Sequence, residues 1–212
     1  MDPGNWNNFW NRSRSTQTSW SKIRILDILN PYLKTARKVL DAGCGSGFFS
    51  AYFCDHGLAT TAVDYSLEAL NLTKANTFGR SQIVQADMRT DGFVDAVYHD
   101  YDLIFSDGLF EHFSLSDQDR IMSRFADILA PEGYIITFVP NLLSPWTIIR
   151  PFMMPEIKEK PFTPQKLKSL NQRNELGLID MGGVNVLPWK FSPEKLLSRF
   201  CGMLLYSIAK KK

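Results

Sequence analysis

Residues 39–50 read VLDAGCGSGFFS. A short apolar run ends in an acid, Asp41. Gly43, Gly45 and Gly47 follow at alternate positions, and then the chain turns apolar again. Glycine enters φ > 0 without strain and leaves room for another molecule where a Cβ would stand. Between a strand and a helix, such a loop is a candidate cradle for a ligand that carries a nucleoside. Its spacing narrows the choice. A dinucleotide loop reads G-x-G-x-x-G and rests a pyrophosphate on the helix N-terminus. Here the spacing is G-x-G-x-G, and Asp41 stands where a diphosphate would be repelled. The phosphate loop G-x-x-x-x-G-K-[ST] is absent from the sequence.

Outward from this loop the chain alternates between two periods. Residues 38–42 read as a strand and Gly47 to His56 as a helix closed by Gly57. Residues 59–63 (ATTAV) form a strand ending at Asp64, and Ser66 is placed to cap a helix running to about Phe78, with Glu68 in its first turn. Residues 82–86 make a strand ending at Asp87, and 102–106 another ending at Ser106. Ser114 or Ser116 opens a helix with Ile121, Phe125, Ile128 and Leu129 on one face. Pro131-Glu132-Gly133 reads as a turn before a long apolar strand at 134–139 (YIITFV), the pattern of a buried parallel strand. Upstream, 19–33 reads as a helix. Downstream, helices are expected at 164–176 and 193–200, and strands at 178–187 and 203–209. The alternation predicts an α/β fold, a parallel sheet with helices on both faces.

Bulk properties exclude several classes. The 212 residues fit one domain with a sizeable core, and 44% hydrophobic with 22% charged residues is ordinary for a water-borne globular chain. The formal net charge of +2 sets up no strong field toward nucleic acid or a membrane surface. Cys44, Cys54 and Cys201 are odd in number and unrelated in spacing, so neither a disulfide framework nor a zinc site is implied, and a reducing, cytoplasmic setting is expected. No apolar run reaches the roughly 18 residues of a spanning helix. The polar leader MDPGNWNNFWNRSRSTQTSW has no signal-peptide core but carries Trp6, Phe9, Trp10 and Trp20.

In a parallel sheet, ligands bind beyond the carboxyl ends of the strands. Asp41, Asp64, Asp87 and Ser106 each fall at such an end. With VLDAGCGSG, AVD at 62–64, QADM at 85–88, FSDGLFEH at 105–112 and LAPEGYIITFVPN, the chain resembles the S-adenosylmethionine-dependent methyltransferases of Rossmann-like fold, nearest to small-molecule enzymes of the quinone-biosynthesis type. The resemblance implies a seven-stranded, mostly parallel sheet whose last strand, placed at 203–209, is antiparallel. It implies S-adenosylmethionine as cofactor. Gly43, Gly45 and Gly47 would approach its ribose and amino-acid portions, and Asp41 its ammonium. Asp64 would accept both ribose hydroxyls, a bidentate task suited to a carboxylate. Asp87 would accept from the adenine amine between walls supplied by Tyr65 and Met88. Read from the residues alone, Asp41 and Asp64 can equally cap the turns that follow them. Cys44 has no neighbouring cation and reads as inert packing.

On the acceptor side, only His112 among the histidines lies just past a strand's carboxyl end, where it can act as base, or pack and cap. The Glu111-His112 pair resembles one that helps hold a metal in quinone-pathway O-methyltransferases. That pattern has a further Glu where this chain has Gly108, and no metal is assigned. The [ND]-P-P-[YF] signature of base-amine methylation is missing, which argues against nucleic acid as substrate. Residues 1–35 and the proline-rich excursion at 140–162 are expected to cover the site of a domain spanning 36–212. Trp10, Trp146, Phe152 and Met153 would line an apolar pocket for a small apolar or aromatic methyl acceptor. The same aromatics also fit a core or a homodimer seam. The rival class is a catalytically silent methyltransferase-like partner or regulatory subunit.

Overall fold

Four helices begin one residue after a hydroxyl. The side chains of Ser19, Ser66, Ser114 and Thr163 accept the backbone N–H of Lys22, Ala69, Asp117 and Lys166. Each bond satisfies a donor that the first helical turn leaves without an internal partner. The computed structural model describes residues 7, 10, 19–148, 159–187 and 189–212. Its elements are α1 (Trp20–Leu33), β1 (Lys38–Ala42), α2 (Phe48–Asp55), β2 (Ala59–Asp64), α3 (Leu67–Asn76), β3 (Gln82–Gln85), α4 (Gly92–Ala96), β4 (Tyr101–Asp107), a 3-10 turn (Phe110–His112), α5 (Leu115–Ile128), β5 (Leu129–Pro140), α6 (Pro164–Arg173), β6 (Leu176–Val184), α7 (Glu194–Cys201) and β7 (Leu204–Lys211).

The strands form one seven-stranded sheet in the order β3-β2-β1-β4-β5-β7-β6. The first five pair in parallel. β7 runs antiparallel between β5 and β6, as expected for the last strand. The order reverses between β1 and β4, which pair over Val39–Asp41 and Leu103–Phe105. Chains leaving those two strands diverge to opposite flanks and open a crevice, the usual ligand position in open α/β sheets. Antiparallel pairing also sets Leu204 beside both Pro140 and Val184. The segments after β5 and β6, and the end of α7, therefore gather on that same edge.

One face of the sheet is covered by α1 and α2, where Ile25, Leu29, Phe49 and Phe53 pack on Phe105 and Phe138. The other face buries Phe93, Phe110, Ile121, Phe125, Leu167 and Leu170. Side chains of this size each contribute about 1.5–3 kcal/mol when fully buried. Two differences from the sequence reading have local causes. The turn expected at 131–133 is a bulge inside β5, because Tyr101 pairs with Leu129 and Leu103 with Tyr134. It stays tight because Gly133 brings its α-carbon against the Tyr101 carbonyl, 2.6 Å from where a Cβ would sit. β6 ends at Val184 rather than 187, since Asn185 turns to φ +66°.

Candidate functional site

The glycine loop leaves β1 with the N–H groups of Gly43 and Cys44 both donating to the Val63 carbonyl, at 2.8 and 3.1 Å. This pins the loop across the ends of β1 and β2. Gly45 has φ +54°, and a Cβ there would stand 2.6 Å from the Trp10 ring, so the Trp10 indole lies directly on the loop. Gly47 plays a different part from the one expected. It caps α2 at φ +77°, and a Cβ would meet the Thr73 α-carbon at 2.6 Å. It allows the loop to pack on α3 and does not line the crevice.

The three strand-end acids converge as expected. Asp41 is buried and accepts a 2.5 Å hydrogen bond from Ser50 on α2. Burial pushes its carboxyl up to about 7, the Ser50 bond opposes this, and the charges of Asp107 and Asp64 add to it. Asp64 accepts the N–H of Gly45 at 3.1 Å through Oδ2 and that of Ser66 at 2.9 Å through Oδ1. Burial raises its pKa, against the pull of those backbone donors. Asp87 is instead held low, chiefly by hydrogen bonds from Arg89. The guanidinium grips both oxygens, Nε on Oδ1 at 2.9 Å and Nη2 on Oδ2 at 2.7 Å. Sequence reading missed this clamp because it forms in the turn beyond β3, where no periodic pattern marks which side chains meet. Tyr65 and Met88 flank the same end of the crevice. Cys44 is buried beside Thr73, whose hydroxyl donates to its sulfur at 3.3 Å. Burial and the nearby Asp64 and Asp41 charges raise the thiol well above its ordinary pKa, so it stays neutral and unreactive.

At the other end the crevice is walled by Phe48, Phe49, Leu109 and Phe113 and carries Lys22, Asp107 and His112. Lys22 reaches in from α1 with its ammonium 4.0 Å from the Phe48 ring centre. Burial lowers its pKa and Asp107 counteracts that. Neither residue was expected in the crevice from the sequence; Lys22 hides among helix-spaced apolar positions, and Asp107, one place beyond the expected strand end, enters the sequence reading only as an acid offset from the metal-holding pattern. His112 sits on the 3-10 turn with Nε2 3.8 Å from Glu111 Oε1. Donor atoms of Glu111, His112 and Glu159 lie within 4.8 Å of one another, close enough to share one divalent cation. Glu159 comes from a distant segment that no local pattern connects to the pair.

Two expected lining residues sit elsewhere. Strand alternation turns Phe105 and Asp107 toward the crevice and Ser106 away, where its hydroxyl bonds Thr137 on β5 at 3.2 Å. Trp146 donates through Nε1 to the Val186 carbonyl at 3.2 Å, because the turn after β5 folds against the chain leaving β6. It is not part of the crevice lining. Phe152 and Met153 lie outside the described residues. Trp10 lines the crevice, and Asn7 accepts a 2.6 Å bond from the Ser66 hydroxyl.

Residues 40–137 match the family model described as a methyltransferase domain. Over 154 residues the chain is 30% identical to a probable S-adenosylmethionine-dependent methyltransferase of Mycobacterium tuberculosis, covering 72% of this chain and 50% of that one. The chain thus spans about half the length of the curated relatives it matches. Among solved structures, a SAM-dependent methyltransferase from Archaeoglobus fulgidus superposes with a TM-score of 0.70 at 22% identity, covering 88% of this chain and 91% of that one. A TehB-like SAM-dependent methyltransferase from Corynebacterium glutamicum gives 0.68 at 18% identity over the whole of both chains.

Proposed function

We propose, for a chain that belongs to the S-adenosylmethionine-dependent methyltransferases, that the crevice binds S-adenosylmethionine and passes its methyl group to a small, largely apolar or aromatic acceptor. One observation carries this reading. Asp41, Asp64 and Asp87 stand at or just beyond the carboxyl ends of successive strands, and the first two lie against the glycine loop itself. Such a lining suits a ligand rich in hydroxyls and amines and poor in negative charge. The cofactor, when bound, supplies an electrophilic methyl on a sulfonium.

The chain's own groups fit the remaining tasks. Asp64, already oriented by two backbone donors, keeps lone pairs for the ribose hydroxyls. Asp87, fixed by Arg89, faces the adenine between Tyr65 and Met88. Asp41 and Asp107 favour the ammonium of the amino-acid portion, and Lys22 its carboxylate. The Trp10 indole roofs the loop and excludes water. On the acceptor side, an imidazole nitrogen of His112 takes the proton that the acceptor's nucleophile releases as it gains the methyl. Glu111, with a carboxylate oxygen 3.8 Å away, stabilises the resulting imidazolium. Phe48, Phe113 and Leu109 supply the apolar walls that favour an aromatic acceptor.

Calorimetry with S-adenosylmethionine and S-adenosylhomocysteine tests the first half. Absence of binding at millimolar ligand overturns it. Transfer of a labelled methyl group to a panel of phenolic and heteroaromatic acceptors tests the second half. Cofactor binding without transfer to any, together with tight association with another chain, would favour a silent partner subunit instead.

A further inference from the structure

The edge of the sheet that carries the crevice also carries a cluster of large apolar side chains facing solvent. Trp189 is 62% exposed, Phe191 86%, Phe200 64% and Ile148 74%. Leu142 and Leu143 are exposed beside them. These residues come from the turn after β5, the β6–α7 turn and the end of α7. Hydrogen bonds join those segments: Asn141 Nδ2 to the Phe200 carbonyl at 3.3 Å and Ser144 Oγ to the Cys201 carbonyl at 3.1 Å. Seven strands' worth of core were available to bury such groups, yet they protrude together. Large apolar side chains exposed on one edge of the fold, rather than scattered singly, mark an interaction site.

The backbone that presents the tips is held firmly. Arg24 of α1 donates to the Leu187 carbonyl at 2.6 Å and also to that of Trp189. Glu194 accepts the N–H groups of Asn185 and Val186, each at 2.9 Å, and the Ser192 hydroxyl at 2.6 Å. It also pairs with Arg24 at 3.4 Å. The one acid of residues 189–200 is thereby turned inward and neutralised. The other charged residues of that stretch, Lys190, Lys195 and Arg199, are all basic. The chain's net charge of +2 conceals this local excess.

We propose that this edge docks on an anionic lipid surface, with Trp189, Phe191 and Phe200 entering the headgroup boundary. Exposed aromatic tips on a stretch whose sequence is basic, with Lys190 beside them, suit an interface that is apolar on one side and negatively charged on the other. A second copy of the chain is disfavoured. A two-fold pairing would bring the same basic stretch against itself, like charge against like. A groove-binding peptide is disfavoured because the side chains stand out as separate tips rather than lining a concavity. Among the described residues no helix is long and apolar enough to cross a membrane, so the contact is peripheral. The placement also bears on the acceptor. Trp20, 41% exposed and with the Lys190 ammonium 5.8 Å from its ring, continues the cluster onto α1. Two residues further on, Lys22 lines the crevice. Resting on the methyltransferase reading, this continuity gives a lipid-dissolved acceptor a route from the bilayer to the crevice.

The full chain, without cofactor, is floated with vesicles of phosphatidylcholine alone and of phosphatidylcholine with phosphatidylglycerol. Binding is expected only to the second, weakening with added salt as screening shortens. The triple variant Trp189→Ser, Phe191→Ser, Phe200→Ser should lose about tenfold or more in vesicle affinity, while its melting temperature and its S-adenosylhomocysteine affinity match those of the parent. Should that variant fail to fold, a milder comparison decides. Brominated lipids should quench part of the parent's tryptophan emission, and Trp189→Phe should bind vesicles equally while losing that quenching. Absence of flotation with anionic vesicles overturns the proposal, as does a concentration-dependent dimer in light scattering that the triple variant abolishes. Because no cofactor is present, failure here leaves the methyl-transfer reading untouched, and failure of calorimetry leaves the docking surface untouched.

Discussion

Replacing Asp64 by Asn separates the two roles open to this carboxylate, ribose acceptor or turn cap. In the structure Oδ2 accepts from Gly45 and Oδ1 from Ser66. An asparagine offers one oxygen, so its amide must face one of these two N–H groups and strand it, at about 1–3 kcal/mol. Against that stands a gain. Burial raises the Asp64 pKa, meaning that the ionised form is disfavoured in the fold, and a neutral amide removes that penalty. The two effects oppose, and the melting temperature should move by no more than about 4 °C for a chain of this size. Cofactor binding has no such compensation. A hydrogen bond to a charged acceptor contributes about 1.5–3 kcal/mol, and at least one is lost outright while the survivor loses its charge. A loss of roughly 3 kcal/mol weakens S-adenosylhomocysteine binding about 100-fold. Calorimetry supplies the affinity, and scanning fluorimetry of the ligand-free variant supplies the melting temperature. An unchanged affinity with a melting temperature lower by more than about 8 °C would refute the reasoning and make Asp64 a structural cap.

Gly47→Ala combines a left-handed backbone with a Cβ pressed to 2.6 Å from the Thr73 α-carbon. It should lower stability by about 2–5 kcal/mol, read as a reduced urea midpoint. His112→Ala should reduce the rate of methyl transfer by about 10²–10⁴ and abolish its acidic limb, with S-adenosylhomocysteine affinity unchanged in calorimetry. Asp41 carries a sign that can be checked by pH. Its carboxyl rises from 3.8 to about 7 on folding, so its contribution favours the fold at low pH and is lost as pH climbs through that window. A ligand ammonium favours the ionised form. Affinity for S-adenosylhomocysteine should therefore tighten as pH rises toward 7, with a proton released on binding that varies the observed heat between buffers, whereas Asp41→Asn should show a flatter profile and a smaller proton release over the same range.

What could be read from the sequence follows from what local rules encode. Strand ends with acids, the glycine loop and the hydroxyl caps are each stated within a few residues, so Asp41, Asp64, Asp87 and Ser66 could be placed before any coordinates. Facing could not be read with equal security. Ser106 was expected in the crevice because it ended a strand read one residue short; with β4 running to Asp107, alternation assigns the crevice to Phe105 and Asp107 instead. Trp146 was grouped with the crevice by its apolar, proline-rich surroundings, but its indole N–H needs a buried acceptor and finds one in Val186. Lys22 and Glu159 were out of reach for a different reason. Their neighbours in space are far away in sequence: Lys22 reaches the crevice from α1, and Glu159 reaches the Glu111-His112 pair from the residues just before α6.

The charges of the crevice explain why its loop departs from the dinucleotide form. Arg89 answers Asp87 through two short bonds, and Lys22 faces Asp107. Asp41 and Asp64 remain, each with its pKa raised by burial. A diphosphate placed here would add negative charge to two carboxylates that already resist ionisation, and would push both further toward protonation. A ligand bringing an ammonium to Asp41 and two hydroxyl donors to Asp64 does the reverse, since both favour the charged form. On the proposed reading, a ligand of this kind offsets part of the cost that burial places on the two ionised carboxyls. That cost falls at the loop and the ends of β1 and β2, where Ser50, Gly45 and Ser66 partly offset it. On that reading the spacing G-x-G-x-G and the acid ahead of it would act together: the glycines would let the backbone come close, and the acids would select what it comes close to.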